Sequence, residues 1–326
     1  MFFHQNRMLT RAVNEARRLH PLLVLLCFAG VMIAASAAAS SLLTVPLLVW
    51  LLPALKEIDG LTDLAAAMAL LEQLPAWLLL LQLFLTVTET AAALIFCRKI
   101  EKRSLASMGL VPFSLRRFGL GYGIGTAMIL AAGFLCVLTG TLTLRYSGSV
   151  PVGWLCGFFL GYLVQGMAEE VLLRGFLLVS LYAAFARRTC TPKQAALFSL
   201  LISSGLFAAL HLSNPGITPL AMCNLFLAGI SFGLFVLRTD DLWGACAMHA
   251  AWNFVMGHIL GIPVSGLAGT EQVSLLNATF QGSPLLNGES FGLEGGLFVT
   301  LVECASIALF LFLPRRPKPM QMEFLG

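Results

Sequence analysis

The chain has 326 residues, of which 58% are apolar and only 11% are Asp, Glu, Lys or Arg. A typical soluble domain carries about 25% charged residues, so this composition excludes a water-soluble globular enzyme, and its hydrophobicity excludes a disordered chain. The formal net charge of +4 is small, and the eight cysteines include no CxxC pair. The remaining class is a polytopic membrane protein in which the cysteines are small packed side chains.

Eight apolar segments follow a basic N-terminus. The first runs from about 21 to 53 and is longer than one perpendicular span, so it must tilt or kink. The small residues Ala35, Ser36 and Ala37 leave a cleaved signal peptide as an alternative there. The other segments run roughly over 77–96, 120–144, 154–185, 195–212, 220–237, 242–260 and 297–313. We therefore expect an all-α transmembrane helical bundle of about eight spans, forming a single integral membrane domain over 1–326.

The basic residues alternate between the loops. If the N-terminus is cytoplasmic and there are eight spans, the outer side carries only Lys56 and Arg145, and Arg174 lies within a span. The other 17 of the 20 basic residues then face the cytoplasm. This positive-inside bias predicts a multi-pass protein of the cell membrane with both termini cytoplasmic. The segment 262–296 has no Lys or Arg and falls outside, and its role stays open.

Several ionisable residues interrupt the apolar segments. Glu89, Glu169, Glu170, Arg174 and Glu303 all fall inside them, and so do two histidines discussed below. A charge at the centre of a membrane helix costs about 2.5–3.5 kcal/mol on insertion scales, so such residues usually mark a site or an ion path. The roles of Glu89 and Glu303 stay open at this point.

The densest charged cluster is the run from Glu169 to Arg174. Glu170 and Arg174 are four residues apart, so they can pair on one helix face, whereas Glu169 points about 100° away. Two neighbouring carboxylates at low dielectric rarely both ionise freely, which suits a general base or a proton relay. An ion-paired helix end is the structural alternative.

A stripe of small and polar residues leads to Glu169. Its members recur every four residues and are Gly153, Gly157, Gly161, Gln165 and Glu169. Glycines at this spacing allow a neighbouring helix to approach closely. The stripe therefore predicts a tight helix contact on the face that carries Glu169.

Two later segments carry histidines. His211 lies near the end of one helix, and His249 shares a face with Asn253, four residues further on. An imidazole and an amide one turn apart can bind a metal, hold a water or donate to an oxyanion, and ordinary interhelical hydrogen bonds are the alternative. We interpret His258 as structural, and the charged run 101–103 as a solvated helix end.

Three separate motifs occur one after another along the chain: EExxxR at 169–174, FxxxH at 207–211 and HxxxN at 249–253. This series resembles the CPBP family, which includes the CAAX prenyl proteases of type II and the bacteriocin-processing Abi enzymes. Leu242-Trp243 and the run from Ser104 to Leu110 also look like that family. The characteristic core covers roughly 153–253.

The resemblance implies an intramembrane endopeptidase of about eight helices. Carried over to this chain, Glu169 activates water with help from His211, and Glu170 with Arg174 holds the geometry. His249 and Asn253 stabilise the oxyanion. The resemblance implies as partners the lipid bilayer and a peptide or membrane-protein substrate, lipidated in the CAAX enzymes, and no nucleic acid.

The residue types leave two chemical routes and two other functions open. Peptide hydrolysis needs a base near a water and donors aimed at the developing oxyanion. Glu169, His211 and His249 could also bind one Zn²⁺ with an open position, as the family's metalloprotease label suggests, and a metal-free glutamate route is the alternative. A non-catalytic membrane partner, in bacteriocin immunity or protein binding, is a second function. A proton-coupled transporter is a third, although no inverted repeat is found.

Overall fold

A computed structural model of the protein describes residues 6–17, 19–57, 74–148, 152–188, 190–267, 269 and 271–312. Four of the basic residues used in the orientation argument, Arg18, Arg315, Arg316 and Lys318, lie outside these residues, as does the side chain of Lys56. The described chain is an all-α helical bundle with one small β-ladder, so the predicted fold class is confirmed.

The α-helices within the described residues are α1 (Arg7–Glu15), α2 (Pro21–Glu57), α3 (Ala76–Leu85), α4 (Val87–Ile95), α5 (Leu115–Leu138), α6 (Val152–Glu170), α7 (Val179–Ala186), α8 (Pro192–Ala209), α9 (Pro219–Thr239), α10 (Leu242–Phe254), α11 (Pro284–Asn287) and α12 (Leu297–Phe312). π-Helical turns extend three of them, over Phe96–Ile100 after α4, Val171–Leu178 after α6 and Val255–Ile259 after α10. Short 3₁₀ turns cover Leu105–Met108, Glu289–Phe291 and Leu293–Gly295.

The predicted apolar segments match these helices closely, with one exception. The segment predicted as 120–144 ends as a helix at Leu138, and Gly140 follows with a φ of +69°, the left-handed conformation that commonly closes a helix. The next residues form strand β1 (Leu142–Tyr146), which pairs antiparallel with β2 (Leu276–Phe280). Alternating Leu, Thr and Tyr side chains favour this extended conformation.

Four described helices are long and apolar enough to cross a membrane. They are Pro21–Pro53, Ala76–Ile100, Leu115–Leu138 and Pro219–Thr239, and Leu297–Phe312 is a shorter apolar helix. The total of eight spans stays a prediction.

Helix α10, which carries His249, lies in direct backbone contact with two neighbours. A Cβ on Gly125 of α5 would lie 2.1 Å from the carbonyl oxygen of Met248, and one on Gly166 of α6 would lie 2.9 Å from the nitrogen of Ala250. Because any side chain at these two positions would collide with backbone, glycine allows the close approach. The helix bearing His249 is therefore held rigidly between α5 and α6.

The glycine stripe of α6 forms most of the contact that its spacing predicts. Gly157 and Gly161 face Leu80 and Leu83 of α3, with ideal Cβ positions 3.0–3.1 Å from the leucine side chains. Gly153 has nothing within 4 Å and takes no part among the described residues. The stripe thus fixes α3 against the helix that carries Glu169.

Several basic loops meet at one end of the bundle. Asn6, before α1, donates to the carbonyl oxygen of Leu237 at the end of α9 (2.9 Å). The nitrogen of Leu242 donates to the carbonyl oxygen of Gly109 (2.9 Å), and Arg187 donates to the carbonyl oxygen of Val13. These loops lie at the same end of the bundle, as the predicted alternation of basic residues requires. Which side of the membrane this end faces stays a prediction.

The prediction of a solvated helix end over 101–103 is wrong for Glu101 and Arg103. Both are about 1% exposed and form an ion pair of 2.6 Å. Arg103 also donates to the hydroxyl of Ser180 (3.0 Å) and to the carbonyl oxygen of Gly175 (3.4 Å) in the π-helical turn. Sequence position alone gave no sign of this burial, because the partners lie more than 70 residues away.

Candidate active site

A cavity of about 470 Å³ lies between α3, α6, α8, α9 and α10. Its wall is largely apolar and includes Leu79, Leu83 and Leu225. The polar residues that line it are Gln82, Thr86, Gln165, Glu169, His211, Asn214, His249, Asn253, Ser265 and Glu294. Three motifs that are far apart in sequence thus meet in one apolar cavity, a usual setting for a binding or catalytic site.

Glu170 lies behind the cavity wall in a fully buried ion pair. Its Oε1 accepts from Nη1 of Arg174 (2.8 Å) and from Nδ1 of His249 (3.0 Å). The side chains of Glu170 and Arg174 are both 0% exposed, and the pairing predicted from their four-residue spacing is present. Because carboxylate and guanidinium neutralise each other, the acid can stay ionised inside the bundle and orient the imidazole of His249.

Aromatic rings enclose Arg174 and His249. The guanidinium carbon of Arg174 lies 4.8 Å from the ring centre of Phe207 and 5.5 Å from that of Phe232. Phe232 also stacks on His249, with ring centres 5.0 Å apart at 19°. Nη2 of Arg174 donates to the carbonyl oxygen of Gly229 (3.1 Å). These contacts fix both side chains while leaving the Glu169 side of His249 open to the cavity.

Glu169 faces the cavity, unlike its neighbour. Its side chain is 21% exposed, and one oxygen lies 3.9 Å from Nε2 of His249. The other oxygen accepts from Nε2 of Gln165, whose Oε1 accepts from Nδ2 of Asn253 (3.0 Å). Gln165 therefore connects Glu169 to Asn253. The four-residue spacing placed Gln165 on the same helix face as Glu169 but did not predict the bond to Asn253.

His211 lies in the turn after α8 with a defined tautomer. Its Nδ1 is 2.8 Å from the carbonyl oxygen of Phe207, and a carbonyl only accepts, so Nδ1 carries the hydrogen and donates. In the neutral imidazole, Nε2 is then left with its lone pair. A ring nitrogen of this kind on a cavity wall can accept a proton or a hydrogen bond.

Glu294 is a cavity residue that the sequence analysis missed. It lies in the 3₁₀ turn before α12, and its oxygens accept from Trp252 Nε1 (3.0 Å) and from the backbone nitrogen and hydroxyl of Ser265 (2.8 and 2.7 Å). Burial raises the pKa of Glu294, whereas these hydrogen bonds act in the opposite direction. The acidic residue stands in a loop without a recognisable motif, so no sequence signal pointed to it.

The two acidic residues whose roles stayed open lie away from the centre. Glu303 on α12 is buried and accepts from the hydroxyl of Ser231 (2.5 Å), with Ser306 beside it, and it does not line the cavity. Glu89 on α4 is close enough to Glu169 for their charges to interact, without lining the cavity itself. His258 packs between aromatic rings, 4.0 Å from the ring centre of Phe158.

The described side chains do not fit a zinc site of three protein ligands. Among them there is no group of three or more His, Cys, Asp or Glu placed to hold a metal ion. Nδ1 of His249 is engaged with Glu170 and Nδ1 of His211 with the carbonyl oxygen of Phe207, so each imidazole has only Nε2 to offer. Catalytic zinc requires three such ligands on one ion, so no step below is routed through a metal.

Comparison with known proteins identifies the region that carries this site. Residues 151–255 match the family model described as type II CAAX prenyl endopeptidase Rce1-like. No curated protein and no solved structure matches the chain. The match supports a protease and, with the apolar helices, a multi-pass membrane protein. Its limits span the three motifs at 169–174, 207–211 and 249–253, and the match supports the CPBP and CAAX protease family for this part of the chain.

Proposed function

We propose that the protein is an intramembrane endopeptidase that hydrolyses a peptide bond in a membrane-anchored or peptide substrate. One observation carries the proposal: two adjacent carboxylates have opposite surroundings. Glu170 is 0% exposed and paired with Arg174, whereas Glu169 is 21% exposed and faces a cavity that His249 also lines. An acid paired with arginine that supports the site, beside an acid that meets the cavity and has no arginine partner, suits general-base hydrolysis.

In the proposed reaction, Glu169 removes a proton from a water molecule while the water oxygen bonds to the scissile carbonyl carbon. His211 also lines the cavity, and in the proposed reaction the lone pair on its Nε2 helps to orient that water. The carbon–nitrogen bond then breaks, and the proton held by Glu169 passes to the leaving amine. Glu170 and Arg174 take no part in proton transfer and keep the helix turn and His249 in place.

His249 and Asn253 serve as the oxyanion donors. Nδ1 of His249 already donates to Glu170, so Nε2 can donate only when the ring is doubly protonated, and carboxylates 3.0 and 3.9 Å away supply the counter-charge. Nδ2 of Asn253 carries two hydrogens and uses one on Gln165, which leaves the other for an oxyanion. Removing a single oxyanion donor typically costs about 10²–10³ in rate.

The test of the function is a comparison of membrane-protein N- and C-termini by mass spectrometry. The strains express wild-type protein or Glu169→Gln at matched levels. We expect new termini with the wild type alone, which would establish proteolysis and identify a substrate. Identical termini together with a phenotype that both versions rescue would contradict the proposal and favour a non-catalytic membrane partner.

We expect the activity to survive metal chelation. Since the described residues provide no three-ligand site, the proposed water activation relies on Glu169 and His211 and on no metal ion. The measurement is cleavage by the purified protein after dialysis against EDTA, with metal content determined in parallel. Loss of cleavage that stoichiometric Zn²⁺ restores would contradict the metal-free route and assign zinc to this cavity.

We also propose that both termini face the cytoplasm, because this orientation places 17 basic residues inside and two outside. Reporter fusions after Arg103 and after Arg188 are expected to show cytoplasmic activity. A fusion after Gly282 is expected to show extracytoplasmic activity. The reverse result at any of the three positions would overturn the predicted topology.

A further inference from the structure

Ser265 forms hydrogen bonds with two other residues that line the cavity, Glu294 and Asn214. Its backbone nitrogen and hydroxyl donate to Oε2 of Glu294 at 2.8 and 2.7 Å. Its carbonyl oxygen accepts from Nδ2 of Asn214 (2.8 Å), and the nitrogen of Asn214 donates to the carbonyl oxygen of His211 (3.0 Å). A continuous series of hydrogen bonds therefore connects Glu294 to the turn that carries His211.

The second oxygen of Glu294 connects the same carboxylate to α10. Oε1 accepts from Nε1 of Trp252 (3.0 Å), which directly precedes Asn253 and lies three residues after His249. The backbone of Glu294 is itself fixed, because Nδ2 of Asn224 on α9 donates to its carbonyl oxygen (2.8 Å). One buried side chain thus joins the segment with His211 to the helix with the oxyanion donors.

The donors around Glu294 match a carboxylate and do not match an amide. An ionised carboxylate has acceptor sites only, and here it meets one indole N–H, one backbone N–H and one hydroxyl. Either orientation of a glutamine amide at position 294 would point its NH₂ group at an N–H donor. The position therefore requires an acid, although Glu294 lies 39 residues beyond the region that matches the family.

We infer that Glu294 is a positioning residue of the active site, which holds His211 and the oxyanion donors of α10 at a fixed separation through Ser265 and Trp252. This inference rests on the proposed proteolytic function. Glu294 acts through other residues, since the three hydrogen bonds described for its side chain all come from protein groups. A misplacement of about 1 Å between catalytic groups can lower a rate by about 10²-fold.

The kinetic test uses purified protein and a synthetic peptide spanning the cleavage site that the comparison of termini identifies. For Glu294→Gln we expect kcat to fall by about 10- to 100-fold while KM stays within about twofold, because positioning acts on the chemical step. Glu303→Gln, which alters another buried acid that does not line the cavity, is expected to keep both constants within about twofold. A rise in KM at unchanged kcat would make Glu294 a substrate contact and overturn the inference.

A second measurement does not depend on activity. Hydrogen exchange at the backbone amide of Ser265 is expected to be at least about tenfold faster in Glu294→Leu than in Glu303→Leu, because leucine offers this N–H no acceptor. Unchanged exchange would overturn the inference. If Glu294→Gln does not fold, Ser265→Ala removes one donor only, and a fall in kcat of about two- to tenfold is expected. Full activity of Ser265→Ala would then overturn it.

The two proposals fail in distinguishable ways. An inactive Glu169→Gln beside a fully active Glu294→Gln would overturn the positioning role and leave the protease intact. Undiminished cleavage by Glu169→Gln would contradict the proposed function, and the amide exchange of Ser265 would still decide whether Glu294 holds that segment.

Discussion

Glu169→Gln is expected to lower the cleavage rate by about 10²- to 10⁴-fold while leaving the protein folded. The amide has the size of the carboxylate but cannot take a proton from water. Glu169 is partly exposed to the cavity and its nearest polar neighbours are Gln165 and His249, so the substitution leaves no buried charge unpaired. The measurement is turnover of the mapped peptide in detergent, with a thermal unfolding curve of the same sample.

The control for this prediction is Glu303→Gln. Both substitutions neutralise an acidic side chain within a helix of the bundle, but Glu303 contacts Ser231 and Ser306 and not the cavity. We expect the control to keep its turnover within about twofold. Equal losses in both variants would mean that any missing charge disturbs the bundle, and would contradict a specific role for Glu169.

Helical spacing predicted the local half of the site. Glu170 and Arg174 pair as residues four apart can, and His249 and Asn253 line one cavity from one helix face. These relations depend on the geometry of a single helix, which the sequence specifies. The different surroundings of Glu169 follow from the same geometry, because adjacent residues point about 100° apart.

The contacts of the site between residues far apart in the chain could not be predicted from sequence patterns. Glu294 reaches Ser265 and Trp252 across 29 and 42 residues, and Arg103 reaches Ser180 across 77. Such contacts depend on how helices and loops meet, which neither periodicity nor charge alternation encodes. The π-helical turn after Glu170 is a similar case, since its apolar run fits an ordinary helix equally well.

Arg174→Met is expected to destabilise the protein by about 3–5 kcal/mol, the largest stability effect we predict. The substitution keeps an unbranched apolar stem but removes the guanidinium, which leaves the carboxylate of Glu170 buried with only His249 as a partner. Contacts of the guanidinium with Phe207 and Phe232 are lost as well. The measurement is denaturant unfolding of purified protein in detergent, with Arg116→Met, an exposed position at the start of α5, as the matched control.

A double variant separates the charge from the packing. In Glu170→Gln with Arg174→Met no net charge remains in the buried pair, so its free energy of unfolding is expected to lie closer to the wild type than the sum of the two single changes. Cleavage is nevertheless expected to stay impaired, because a neutral amide at position 170 gives Nδ1 of His249 a weaker acceptor than the Glu170 carboxylate. Strict additivity of the two stability changes would contradict a coupled pair. Wild-type cleavage by a stable double variant would show that the pair serves only the fold, and the orientation of His249 would then depend on its contacts with Phe207 and Phe232.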